Sequence, residues 1–162
     1  MWKPKIKKMN LFVRILTFGW PGAITLAPFG IYLGKQYFEW GSDYNKERNT
    51  PAYQRHLEVI NHENTHWVQQ LEMMVAGAVI SLLMGIVLLS FGVYSWWLLT
   101  LLVFPFCFFY LWYFIEWVIK ILTPPIGAYK DLGFEREANC YEHDATYLVY
   151  RKWFAWIKRM FQ

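Results

Sequence analysis

From Met73 to Leu122 the chain runs for 50 residues with only two formal charges, Glu116 and Lys120. As a single helix this stretch would reach about 75 Å, more than twice a hydrocarbon core of about 30 Å. It must therefore double back. The turn falls at Phe91-Gly92-Val93-Tyr94-Ser95, which predicts two spans, 73–92 and 96–121, with a kink at Pro105. Tyr94, Trp96 and Trp97 at the turn, and Trp112, Tyr113 and Trp117 toward the other end, suit the two membrane interfaces. None of the sixteen lysines and arginines lies at the turn. The positive-inside rule then puts both termini and everything flanking the spans on the cytoplasmic face of an inner membrane. Lys120, one helical turn after Glu116, is its expected partner.

What precedes and follows the hairpin is more polar. Lys3, Lys5, Lys7 and Lys8 lead into an apolar stretch from Leu11 to Leu33. Arg14, Trp20-Pro21-Gly22 and Pro28 interrupt it, which excludes a clean span or a secretory signal. The segment Ala23–Leu33 is β-branched and aromatic with Gly and Pro punctuation, so a strand or hairpin is expected there. The formal charge of +4 has no basic stripe of the kind nucleic acid requires, and the lipid bilayer is the expected partner. Cys107 and Cys140 form no CxxC pair, so neither a disulfide framework nor a thiolate metal site is indicated.

Residues 39–50 read as a polar loop. Thr50-Pro51 then opens a helix, with threonine as N-cap and proline at the first helical position. This helix, expected over 51–72, carries His62-Glu63-Asn64-Thr65-His66. Four residues are about 400° of helix, so the two imidazoles stand one turn apart on nearly one face, with Glu63 about 100° round from His62. HExxH binds zinc through its histidines and leaves the glutamate to take a proton from water. Glu58, Gln69 and Gln70 share that broad stripe and are candidate supports for the ligands; His56 lies on the far side.

Two histidines rarely complete a zinc site. A hairpin returns residues beyond Thr123-Pro124-Pro125 to the side of His62 and His66, and the helix expected over 133–160 supplies the next group. Glu135 is the best third ligand, with Glu137 and His143 as alternatives. Asn139, one turn after Glu135, is placed to accept an N–H from a ligand imidazole. His143 is a candidate proton donor to a developing oxyanion, with Tyr129, Tyr141 and Tyr147 behind it. The C-terminal part of this helix, with Arg151, Lys152, Lys158 and Arg159 among aromatics, reads as amphipathic and lying along an anionic leaflet.

HExxH followed by a later helix with Glu-x-x-x-Asp or Glu-x-x-x-Asn resembles the gluzincin pattern, found also in the integral-membrane CAAX prenyl protease family. Here those positions read His62, Glu63, His66, Glu135 and Asn139. NHENTHWVQQLEM with the later FEREAN also resembles short bacterial membrane proteins. The resemblance covers the two motif helices and the spans between them, and departs from the usual aspartate at Asn139. It implies a zinc metallopeptidase acting on a peptide or membrane-protein substrate.

The expected protein is thus a single, mainly α membrane-embedded domain over 1–162. A two-span transmembrane hairpin links the HExxH helix to a C-terminal amphipathic helix, with a small strand or hairpin segment within 1–50. The expected activity is zinc-dependent peptide-bond hydrolysis at the cytoplasmic membrane surface, with Glu63 as the base. Two other classes fit less of the sequence. A non-catalytic metal-binding scaffold or regulatory protein needs only the histidines, whereas a di-iron oxidoreductase needs a second ExxH that the chain lacks.

Overall fold

The computed structural model describes residues 4–18, 22–42, 50–122 and 131–161. Of the loop expected over 39–50, residues 39–42 are instead helical, continuing a helix that starts at Lys35, and 43–49 lie outside the described residues, as do the Trp20-Pro21 break, the Thr123-Pro124-Pro125 stop and Tyr129.

The strand expectation for Ala23–Leu33 resolves into a hairpin, β2 (Ala23–Leu26) and β3 (Gly30–Leu33), paired antiparallel with Thr25 opposite Ile31. A third strand not expected from sequence, β1 (Ile6–Lys8), adds in parallel to the other edge of β3 and gives the order β1-β3-β2. Gly30 permits this: its φ is +136°, and a Cβ there would stand 2.4 Å from the Lys5 carbonyl oxygen. β3, buried along its whole length, is the centre of the sheet. Two short helices flank it, α1 (Leu11–Leu16), capped by the Asn10 side chain, and α2 (Lys35–Ser42). β2 is an edge strand and packs on the next helix.

That helix, α3 (Pro51–Ser90), is one uninterrupted rod of 40 residues, about 60 Å long. Thr50 caps it, with Pro51 at its first position. HExxH helix and first apolar segment are therefore a single element, which runs unbroken through Gly77 between two alanines and through Gly85 between Met84 and Ile86. A 3-10 turn (Trp96–Leu99) and α4 (Thr100–Leu122) return along it. Gly85 lies against Leu101, and Gly77 against Pro105 and Phe108. A Cβ on Gly77 would stand 3.0 Å from the Pro105 Cα, so this glycine is what lets the two backbones close up. Beyond Met74 nearly every large apolar residue of α3 is exposed, as is the outer face of α4. Both helices are long and apolar enough to cross a membrane.

The C-terminal region departs from the single helix expected over 133–160. It forms three short ones: α5 (Gly133–Tyr141), α6 (Tyr147–Tyr150) and α7 (Trp156–Met160). Asp144 accounts for the first break, since its carboxylate accepts from both the backbone N–H and the hydroxyl of Thr146, a local turn that competes with helix. At the second, Phe154 adopts a positive φ of 55° and donates its N–H to the buried Glu72 carboxylate. The chain is thereby folded back onto α3 and α5.

Where the four helices meet, Met73, Phe109, Phe134 and Trp156 form the core. The Phe134 ring lies 4.3 Å from that of Trp156 and 4.6 Å from that of Phe109, centroid to centroid. Burying Phe134 there determines the roll of α5, and Glu135, the next residue, is turned toward α3. The start of α5 is pinned from another helix. Leu132 offers no side-chain cap, and the Gly133 N–H instead donates to the buried Glu116 carboxylate at 2.7 Å, which also pairs with Lys120 at 3.0 Å. The expected pair is present, and Glu116 has a second role at the positive end of α5.

Candidate metal centre

The roll of α5 carries the Glu135 carboxylate to the two imidazoles of α3. Their Nε2 atoms lie 3.1 Å apart. Glu135 Oε2 lies 3.5 Å from His62 Nε2, and Oε1 lies 3.3 Å from His66 Nε2. The three side chains each offer one ligand atom within 4.8 Å of the others. A tetrahedral ion with bonds of 2.0–2.1 Å has ligand-to-ligand edges of about 3.3 Å, which is the spacing found here. Two imidazole nitrogens and a carboxylate are also a donor set that suits zinc.

Burial opposes a proton on His66, but the adjacent Glu135 carboxylate outweighs it and lifts the imidazole to about 9. Burial likewise opposes charge on Glu135, and the field of His66 with hydrogen bonds from both imidazoles holds its carboxyl below the ordinary range. The buried cluster thus carries a negative carboxylate that attracts a cation, whether a proton or a metal.

Glu63 sits beside this cluster and is held by the sheet. Thr25 Oγ1 lies 2.8 Å from Glu63 Oε2 and 3.0 Å from the Glu63 carbonyl oxygen. The strand is tied to the helix again two turns later, where the Gln70 amide donates to the Thr25 carbonyl at 2.8 Å and accepts the Ala27 N–H at 2.7 Å. That pairing imitates a neighbouring strand at the end of the β2 edge.

The groups that support the imidazoles differ from those expected. Asn139 is exposed. The buried face of α5 is centred on Phe134 and Ala138, so a step of four residues from Glu135 leads outward. A step of seven leads back inward, to Glu142, whose Oε2 lies 3.5 Å from His62 Nδ1. At the other imidazole the Nδ1 partner is Gln69 Oε1, at 2.7 Å. Glu58 also stands off the rings: it pairs with Arg55 at 2.8 Å and with His143 at 3.0 Å. His143, with 69% of its side chain exposed, faces Glu58 and Glu142 and lies outside the Glu135 cluster. Glu137, the other acidic alternative, is fully buried against Arg151 and Tyr147. Tyr141 stacks on Tyr147 and accepts a hydrogen bond from Arg159.

Three contacts had little warning in the sequence. Tyr113 donates to Glu135 Oε1 at 3.1 Å, although as an aromatic in an apolar run it looks like an interface residue. Thr25, the one hydroxyl in the strand Ala23–Leu26, is the hint that this strand has a polar partner. Glu142 shares the face of Glu135, a signal that helical angle alone carries. No family model, curated protein or solved structure matches the chain.

Proposed function

We propose that this protein is an integral-membrane zinc metallohydrolase whose substrate bond is a peptide bond. The observation that carries this reading is the convergence of His62 Nε2, His66 Nε2 and the Glu135 carboxylate at tetrahedral spacing beside a buried glutamate. Zinc held there would supply Lewis-acid chemistry. Glu63 is the base: it takes the proton of the attacking water and passes it to the leaving amine. The Thr25 hydroxyl orients its carboxylate, and the remaining edge of β2 offers backbone groups along which an extended peptide can lie. The choice of a peptide over another acyl substrate follows the gluzincin resemblance of the two motif helices. Residues 73–92 and 96–121 form the bilayer-spanning hairpin, and the cationic flanks put the site at the cytoplasmic surface.

Elemental analysis of detergent-purified protein tests the centre directly. Wild type should carry about one zinc per chain and Glu135→Ala far less. Zinc retained by the variant would remove Glu135 from the ligand set, and none in the wild type would end the metal reading.

The charge of the pocket gives a second prediction. Because His66 is raised to about 9, its proton contributes stability to the metal-free fold fully below its ordinary 6.5, and this is lost as pH rises through about 9. Zinc must displace that proton at neutral pH. Adding zinc to metal-free protein in dilute buffer at pH 7.5 should release about one proton from His66, and above pH 9 this release should fade. Equal release at both pH values would show that His66 is not the group displaced.

A further inference from the structure

Gln69 is completely buried between the metal-binding pocket and a second polar cluster, and its amide can point only one way. The amide nitrogen lies 3.0 Å from Glu137 Oε2 and 3.1 Å from the Phe134 carbonyl oxygen. A carboxylate and a carbonyl both accept, so the two N–H groups are consumed there and the amide oxygen must be the atom facing His66 Nδ1 at 2.7 Å. The flipped amide would set its oxygen against two acceptors. An acceptor at Nδ1 in turn requires a proton on Nδ1, and the lone pair of a neutral His66 then stands on Nε2, the atom that faces His62 and Glu135. Glu137 is itself held as an acceptor. Tyr147 donates its hydroxyl to Oε1 at 2.6 Å, and one guanidinium nitrogen of Arg151 is shared between Glu137 Oε2 at 3.2 Å and Glu72 Oε2 at 3.0 Å.

We propose that Gln69, aligned by Glu137 and the Phe134 carbonyl, is a positioning residue that fixes His66 as its Nδ1–H tautomer and presents Nε2 to a divalent metal. The chain of contacts from Arg151 through Glu137 and Gln69 to His66 joins α6, α5 and α3, so the C-terminal segment takes part in shaping the centre. This rests on the zinc-site reading for the identity of the metal, while the tautomer is a property of the protein alone.

Two measurements keep those apart. In metal-free protein above the pH of about 9 at which His66 loses its charge, 15N-edited NMR of labelled histidine should show the His66 proton on Nδ1. A proton on Nε2 overturns the proposal whatever the protein binds. Chelator competition then compares zinc affinities. Gln69→Met, similar in volume and unable to accept strongly, should bind zinc about 10- to 100-fold more weakly. Gln69→Glu alone sets a carboxylate against Glu137 and the Phe134 carbonyl and should lose affinity as well. Combined with Glu137→Gln it regains one donor to the new carboxylate, with the Phe134 carbonyl still opposed, and part of the lost affinity should return. Such rescue is not expected of a residue that only fills space. Wild-type affinity in Gln69→Met, or no rescue by the double variant, overturns the positioning role. A wild type that takes up no zinc instead removes the metal reading and leaves the NMR result to decide the tautomer.

Discussion

Replacing Glu63 with glutamine should leave zinc bound and lower hydrolysis by about 10²- to 10⁴-fold, the usual contribution of a positioned base. The substitution keeps the side chain's shape. An amide at this position can still meet the Thr25 hydroxyl, now 2.8 Å from Glu63 Oε2, and its burial is unchanged. What it cannot do is accept a proton from water at neutral pH. The proposed ligand atoms are those of His62, His66 and Glu135, so metal content should not move. Turnover of a quenched-fluorescence peptide library and zinc content, measured on one preparation, check both halves. A variant that keeps turnover removes Glu63 as the base, and one that loses its zinc makes Glu63 a ligand. A wild type with zinc and no turnover, matched by the variant, favours the non-catalytic metal-binding reading.

The parts of this molecule that a linear reading reaches are those set by local physics. Thr50-Pro51 starts a helix where a side-chain cap and a missing N–H are both tolerated, and α3 begins there. The β-branched segment after Ala23 is a hairpin, and Phe91–Ser95 separates the two long apolar helices. Glu116 finds Lys120 one turn away. Even the meeting of His62, His66 and Glu135 follows from two helical periodicities and a chain that must return.

Contacts between distant elements are a different matter. Thr25 with Glu63, Tyr113 with Glu135 and Asn61 with Glu142 span 38, 22 and 81 residues. Each depends on the roll of one element against another. For α5 the roll is decided by Phe134 entering the core, and it exchanges Asn139 for Glu142 as the neighbour of His62. The C-terminal breaks were hidden for a related reason. Asp144 and Glu72 are unremarkable in an amphipathic pattern until the first closes a turn on Thr146 and the second receives the N–H of Phe154.

Arg151→Met should destabilise the protein by about 3–5 kcal/mol, the cost of stranding buried charge. The guanidinium is 2% exposed and stands between two carboxylates just as buried, Glu72 on α3 and Glu137 on α5. Burial alone would weaken its hold on a proton, yet those carboxylates raise it further above the ordinary arginine value. With methionine there, apolar volume is largely kept but two acids face each other without a cation, and at least one must become neutral. The effect should appear as a markedly lower unfolding temperature in detergent, followed by tryptophan fluorescence. Adding Glu72→Gln and Glu137→Gln removes the stranded charges, and most of the loss should be recovered, since a buried ion cluster contributes little beyond a well-packed neutral one. A single variant that melts with wild type would mean that water reaches the cluster. A triple variant no better than the single would mean that Arg151 acts through packing, and that the C-terminal segment is held to α3 by its aromatic residues rather than by this charge.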